Sequence, residues 1–591
     1  MPTLADGLVE AFREWGLRYL FGVSGANIEH LHDAVHRRGG LTSVLAKRED
    51  GAAFMADAHA RVHRTLGLCC ATSGGGMMNL AVGLAESLTD GVPVLAVIGQ
   101  PPSALDGAGS FQESTGRTGT VDALGLLGAV TKHVARVADR DQFWAALRAA
   151  ARAALSGRPG PAALLIPRDV FPLEVGGPPV GWPRELGDVA DAATPDVIAT
   201  QRLFDAIRSA RRPVLLIGHE VRASRDERGV HEFARRARIP VATTMSARGD
   251  FPNADPLHLG VAGACGHPSV HEFLLSQADL VIAAGTELGM LVRAPLTGLP
   301  GSRVAAVTHD GSVARAAFPG AVVIEGDAGV VFRQLCGMLD RTPFTAAPLN
   351  GYRLRRYAPQ LEQPGVAAPG GDTLLASEAV AVLERYLPSG GHILTDAGNC
   401  GAAAMHRALV PPGTSTTVAF GMGGMGYSLP GAIGAQLGSP GRTVVCCGDG
   451  SFLMNGFEIH TAVELRLPIL YVVFNNQGHG MCVSRQRLMF GDRVECATYG
   501  PVDIPTIARG LGGPDALWVG SAGTATELEY VLEDYHTRCA ARPGVLELRL
   551  PREEIPPMVP FTPADAPAQD VVQNRQRVAP WGSAVARPTA V

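Results

Sequence analysis

Short apolar runs recur along the chain. Between them lie longer stretches in which apolar residues return at helical spacing. Leu4–Trp15 reads as an amphipathic helix, and Tyr19–Val23, Leu41–Ala46, Leu66–Ala71 and Val92–Ile98 read as strands. A buried strand near Pro167 closes this first group. Pro213–Ile217, Val241–Thr244, Leu280–Ala284, Val304–Val307 and Val322–Ile324 form a second group. A third contains a strand ending at Thr395, then Thr443–Cys447 and Ile469–Phe474. Unbroken apolar runs alternating with helical stretches predict parallel sheets covered by helices on both faces. The expected fold class is α/β, with three Rossmann-like units at 1–175, 194–345 and 372–550. Residues 176–193 and 346–371, rich in Gly or Pro, read as linkers. Residues 560–591, rich in Pro and Ala and weakly patterned, are expected to be disordered.

One stretch organises the third unit. The strand Thr443–Cys447 runs into Gly448-Asp449-Gly450-Ser451. Phe452–Leu467 then reads as a helix, with Leu453, Phe457 and Val463 near helical spacing. The strand Ile469–Phe474 follows and ends in Asn475-Asn476-Gln477-Gly478. A right-handed crossover sets the two strands parallel, so Asp449 and Asn476 leave their carboxyl ends, where open α/β sheets bind ligands. A carboxylate, an amide oxygen and the Gly478 carbonyl make three hard oxygen ligands of the kind Mg²⁺ takes together with phosphate. Gly448 and Gly450 let backbone approach such a phosphate closely. Gly-Asp-Gly alone is more often a plain tight turn; the Asn pair after the next strand reverses that reading.

Composition narrows the function classes. The chain has 591 residues, 46% of them hydrophobic and 18% charged, which suits a large buried core. A net charge of −5 with no basic run gives nucleic-acid binding no electrostatic support. No apolar stretch reaches membrane-spanning length, and no signal-peptide pattern opens the chain. The ten cysteines form no metal-ligand spacing. Cys69-Cys70 and Cys446-Cys447 lie inside apolar strands and read as reduced thiols, so a cytoplasmic location is expected. Of the 51 basic residues only Lys47 and Lys132 are lysines.

Gly448-Asp449-Gly450 with Asn475-Asn476 resembles the thiamine-diphosphate binding motif. Phe420-Gly-Met-Gly-Gly-Met-Gly-Tyr-Ser-Leu-Pro430 is similar to the acetolactate synthase branch of that family. The likeness runs to about residue 550. It implies that the three units are pyrimidine-binding, central and diphosphate-binding domains. It also implies thiamine diphosphate and Mg²⁺ as cofactors, with Asp449, Asn476 and Gly478 as metal ligands. Gly448, Gly450 and Ser451 would lie against the diphosphate, together with Gly398, Asn399 and Cys400. The family pattern has Gln-His where Asn399-Cys400 stands. Glu49, followed by Gly51-Ala52, matches the acid that shares a proton with the cofactor's aminopyrimidine ring. Met425 matches the residue wedged between the cofactor's rings, and Gly423 the carbonyl that accepts from its amine. The half-sites meet across a subunit interface in the family, which implies a homodimer or homotetramer.

The reaction is read from what is present and what is missing. Phe111-Gln112 resembles the synthase pattern in which the Gln holds substrate. The loop Gln100–Glu113 lacks the His pair of the family's decarboxylases, and Met481–Arg487 lacks their Glu. A carboligase is expected: it decarboxylates a 2-oxo acid such as pyruvate and adds the remaining unit to a second carbonyl compound. The alternatives are a decarboxylase or lyase of the same family and a catalytically silent binding or scaffold protein. His479 is a candidate proton donor, although a loop histidine is more often incidental. Arg168 stands where the synthases carry a substrate-site Lys. Gly285-Thr-Glu-Leu-Gly-Met290 replaces an Arg- and Asp-rich run that shapes substrate and flavin contacts in the synthases. FAD is therefore doubtful, and the central unit is expected to keep its fold without needing it.

Overall fold

The computed structural model describes residues 1–117, 119–191, 196–224, 226–346, 373–491, 493–552, 554 and 556–558. Its strands form three six-stranded sheets. The first holds β1 (Tyr19–Gly22), β2 (Thr42–Leu45), β3 (Gly67–Ala71), β4 (Val94–Gln100), β5 (His133–Arg136) and β6 (Ala162–Pro167), in the order β2-β1-β3-β4-β6-β5. The second holds β7 (Pro213–Ile217), β8 (Val241–Thr244), β9 (His258–Ala262), β10 (Leu280–Ala284), β11 (Val304–Thr308) and β12 (Val322–Glu325), in the order β12-β11-β10-β7-β8-β9. The third holds β13 (His392–Thr395), β14 (Ser415–Val418), β15 (Thr443–Gly448), β16 (Ile469–Asn475), β17 (Trp518–Ala522) and β18 (Gly544–Arg549), in the order β14-β13-β15-β16-β18-β17. Neighbouring strands pair in parallel throughout. β15 and β16 are direct neighbours, with Gly448 opposite Phe474. Central strands such as β4 and β16 are buried along their whole length, as helices on both faces require.

The first and third units share one hydrophobic core. The helix Glu49–His63 packs against the helix Ser428–Gln436, and Phe54, Met55, Leu429 and Ile433 belong to one buried cluster. Their approach is close enough that a Cβ on Gly434 would come within 2.0 Å of the Met55 carbonyl oxygen. The second unit has cores of its own.

Two expectations need correction. The segment expected as one helix over Phe452–Leu467 starts earlier, at Asp449, and breaks into Asp449–Asn455, a tight turn Gly456–Glu458 and a short helix Ile459–Glu464. Leu453 and Phe457, read as one helical stripe with Val463, are 44% and 66% exposed, while Phe452, Ile459 and Ala462 face the core. The break at Gly456 turns the register. Residues 176–191 do not hang free as a linker: Trp182 stacks on Trp15 with ring centroids 5.6 Å apart and belongs to the first unit's core. The second linker beyond Ala346 and the 560–591 tail lie outside the described residues. Cys69, Cys70, Cys446 and Cys447 are buried and free. Among the described residues no helix is long and apolar enough to cross a membrane.

Candidate active site

Three helices begin at the carboxyl ends of neighbouring strands and aim their amino ends at one pocket. They are Asn399–Arg407 after β13, Asp449–Asn455 after β15 and Gly480–Phe490 after β16. Free backbone N–H groups at such ends favour an anion. Gly398, Asn399, Cys400, Met425, Gly448, Asp449, Gly450, Ser451, Asn476, Gly478 and His479 all line the pocket.

The oxygens converge as a cation would need. Oδ2 of Asp449 accepts from the Gly478 N–H at 3.1 Å and from the Tyr499 hydroxyl at 2.7 Å. The inward atom of the Asn476 amide lies 3.3 Å from Asp449 Oδ1 and 2.8 Å from the Gly478 carbonyl oxygen. Turned one way, that atom is nitrogen and donates to both. Turned the other way it is oxygen, and three oxygens face one another with no proton between them, which a bound dication relieves. Burial pushes the Asp449 carboxyl up, an effect that the Tyr499 hydrogen bond opposes. Asn475, the first of the pair, serves the turn: it donates to Glu547 at 2.7 Å and accepts from the Gln477 N–H at 3.2 Å. Asn399 Oδ1 and His479 Nδ1 are buried polar atoms without a hydrogen-bond partner. A Cβ on Gly450 would lie 2.8 Å from His479 Nδ1, so glycine is needed for the histidine to fold over the turn. The residues present therefore fit a diphosphate with its metal ion.

Met425 stands in a loop that a buried acid organises. Asp396, at the end of β13, accepts from the Gly426 and Ser428 N–H groups at 3.0 and 2.9 Å and from the Ser428 and Ser451 hydroxyls at 2.7 and 3.0 Å. Burial pushes its carboxyl up, and these hydrogen bonds counter that. Gly426 has φ +93°, so the loop turns where only glycine is comfortable. Gly423, at φ +65°, is exposed and does not line the pocket.

Glu49 and Gln112 lie apart from that pocket, at the carboxyl end of the first sheet. Asn79 donates to Glu49 Oε2 at 2.9 Å, and a Cβ on Gly76 would lie 3.1 Å from Glu49 Oε1. Gln112 accepts from the Thr72 hydroxyl at 3.4 Å and adopts φ +61°. Both side chains thus flank the turn between β3 and the helix Gly75–Thr89. Among the described residues, none of the first unit lines the Asp449 pocket, so Glu49 and Asp449 do not share a pocket within one chain.

The second unit has a crevice between β7 and β10, where the strand order reverses and a dinucleotide would bind. Glu220 occupies it. Its carboxylate accepts from the Thr308 hydroxyl at 2.8 Å and the His309 N–H at 3.0 Å, and its Oε2 lies 3.2 Å from His309 Nδ1. The Thr308 hydroxyl and the His309 N–H are thus committed to Glu220.

These features suit a diphosphate and a dication on a three-unit parallel α/β fold, and comparison with known proteins gives the family. Residues 2–122 match the N-terminal TPP binding domain of thiamine pyrophosphate enzymes, 200–335 their central domain and 396–547 their C-terminal TPP binding domain. The acetolactate synthase isozyme 2 large subunit of Escherichia coli (strain K12) is 32% identical over 83% of this chain and 86% of its own length. The isozyme 1 large subunit of the same organism is 29% identical over 94% and 96%. Acetolactate synthase 1, chloroplastic, of Oryza sativa subsp. japonica is 30% identical over 94% and 86%. The chain belongs to the thiamine pyrophosphate enzyme family, and its relatives are of the acetolactate synthase type. Asp396, Tyr499 and Asn79 were not singled out from the sequence, and each acts through a contact distant along the chain.

Proposed function

We propose that this protein is a thiamine-diphosphate- and Mg²⁺-dependent carboligase acting on pyruvate or a close 2-oxo acid, with a second carbonyl compound as acceptor. The observation that carries the reading is the convergence of three helix amino ends on the oxygens of Asp449, Asn476 and Gly478. Asp449, Asn476 and the Gly478 carbonyl would hold the metal ion. Backbone N–H groups of Asn399, Gly450 and Ser451 would hold the diphosphate. The bound cofactor supplies a carbon nucleophile that can attack a 2-oxo acid and lets carbon dioxide leave. Glu49 would exchange a proton with the aminopyrimidine, Met425 would pack against the cofactor, and Gln112 would orient the substrate. His479, beside Gly450, is the nearest candidate to move a proton during product formation. Because Glu49 and Asp449 lie in separate half-sites, the working form is a homodimer or homotetramer with sites completed across the interface. Flavin has no part in the reaction proposed here.

Incubation with thiamine diphosphate, Mg²⁺ and a panel of 2-oxo acids, followed by mass spectrometry, tests this. Two-substrate adducts are expected. Free aldehyde as the only product would favour the decarboxylase reading, and unchanged substrates the scaffold reading.

A further inference from the structure

Two buried glutamates cross between the first and third units in opposite directions. Glu458, in the turn of the third unit, accepts from the Lys47 and Arg48 N–H groups at 2.8 and 3.0 Å, both through Oε1. Those are the two residues before Glu49. Its Oε2 accepts from the Thr461 hydroxyl at 3.3 Å, and the same hydroxyl contacts the Leu45 carbonyl at 3.2 Å. Glu86, in the helix Gly75–Thr89 of the first unit, accepts from Gly421 N–H at 2.9 Å through Oε1 and from Met422 N–H at 2.7 Å through Oε2. These open the loop that carries Met425. Each glutamate is 2% exposed.

We propose that Glu86 and Glu458 are a reciprocal pair of positioning residues, each reaching out of one unit to fix the cofactor-facing segment of the other. This rests on the function proposed above. A buried carboxylate is a costly way to satisfy two amides, because its desolvation must be offset at that spot. Serving the two segments nearest Glu49 and Met425 gives that cost a purpose. The packing agrees. A Cβ on Gly51 would come within 2.4 Å of Glu458 Oε1, and one on Gly421 within 2.0 Å of the Thr89 hydroxyl, so each segment is glycine where it meets the other unit. Arg61, the cation nearest Glu86, is bound to Asp57 and Asp90 at 2.6 and 2.9 Å and stands 4.0 Å away. The backbone amides, rather than an ion pair, are thus the main partners of Glu86. Burial pushes both carboxyls up, Glu458 to about 7, and at Glu86 the neighbouring Asp90 adds to the rise.

The two sites differ in a way that a conservative change exposes. Glu458 uses one oxygen for both amides, which a glutamine oxygen can do as well. Glu86 uses one oxygen for each, which a glutamine cannot. Backbone hydrogen exchange, followed by mass spectrometry on the full chain, reads this directly. E458A should speed exchange in the peptide over 45–50 by about tenfold or more, leave 419–424 unchanged, and be rescued by E458Q. E86A should speed exchange over 419–424, and E86Q should not rescue it. With saturating thiamine diphosphate and Mg²⁺, C2–H exchange on the cofactor should fall about tenfold in E458A and recover in E458Q, with cofactor affinity little changed. Unaltered amide exchange in both alanine variants would overturn the proposal, as would loosened amides with a parental C2–H rate. If the parent itself fails to accelerate C2–H exchange, the proposed function falls and this inference with it. Loss confined to the variants leaves that function standing.

Discussion

Tyr499 donates its hydroxyl to Oδ2 of Asp449 at 2.7 Å, leaving Oδ1 of that carboxylate to face Asn476. In the proposed metal site the tyrosine would orient the Asp449 carboxylate without standing among the ligands. Asp449→Ala is expected to abolish Mg²⁺-dependent retention of thiamine diphosphate. Tyr499→Phe should weaken it by about tenfold, the range for partners one step behind a metal ligand. Calorimetric titration of the cofactor at fixed Mg²⁺ checks both. Parental affinity in Asp449→Ala would show the metal assignment to be wrong.

Glu49→Gln keeps shape and packing but cannot share a proton with the aminopyrimidine. Cofactor and Mg²⁺ binding should survive, while C2–H exchange into D₂O should slow toward the upper part of the 10²–10⁴-fold range, roughly, that acid–base groups contribute. A rate near the parent's would remove Glu49 from the role of activating acid.

Gly51→Ala introduces a Cβ where Glu458 Oε1 would be 2.4 Å away. The start of the Glu49 helix must shift or the glutamate must withdraw. The expected cost is about 1–3 kcal/mol of stability, with a loss of turnover larger than the loss of cofactor affinity. Thermal unfolding and single-turnover rates measured side by side check it.

Stability should fall in mild acid. Burial depresses His59, His258 and His392 to about 4, against an ordinary value of 6.5, so each is neutral in the fold. His63, beside His59, and Arg248, near His258, add to the depression. Below pH 6.5 the unfolded chain takes up protons that the fold refuses. Stability then drops as pH falls toward 4, at up to about 1 kcal/mol per pH unit per histidine. Melting temperatures from pH 7.5 to 4.5 should fall, and replacing His392 with Gln should flatten the slope. The raised carboxyls of Glu86 and Glu458 pull the other way over this range, so the deciding result is the difference: a slope unchanged by His392→Gln would contradict the assignment.

Flavin is expected to be dispensable. Added FAD should change neither melting temperature nor turnover, since Gly285–Met290 lacks the Arg- and Asp-rich run tied to flavin contacts in the resemblance. Yellow protein that loses turnover when stripped of flavin would overturn this.

What the chain's pattern made legible is what local physics dictates. β7 and β10 match their apolar runs end to end, because a strand buried on both faces needs unbroken hydrophobicity. Asp449, Asn476 and Gly478 were findable because one crossover brings them together. Tyr499 was not, since nothing near it in sequence points to Asp449, and Asp396 looked like any strand-end acid until Gly426, Ser428 and Ser451 closed on it. The stripe Leu453–Phe457–Val463 misled because spacing cannot show that Gly456 interrupts the helix. The separation of Glu49 from Asp449 within one chain is likewise invisible to spacing.

The tight seating of Gly434 on Met55 also sets an order of events at the ribosome. The helix Glu49–His63 is made early, and the helix Ser428–Gln436 that covers it is made late. At about 5–20 residues per second, its apolar face waits on the order of tens of seconds for its cover. During that interval the nascent first unit should present that uncovered apolar face to chaperones. A chain truncated before residue 428 never receives its cover, and should accumulate as insoluble material even though every strand of its first sheet is present.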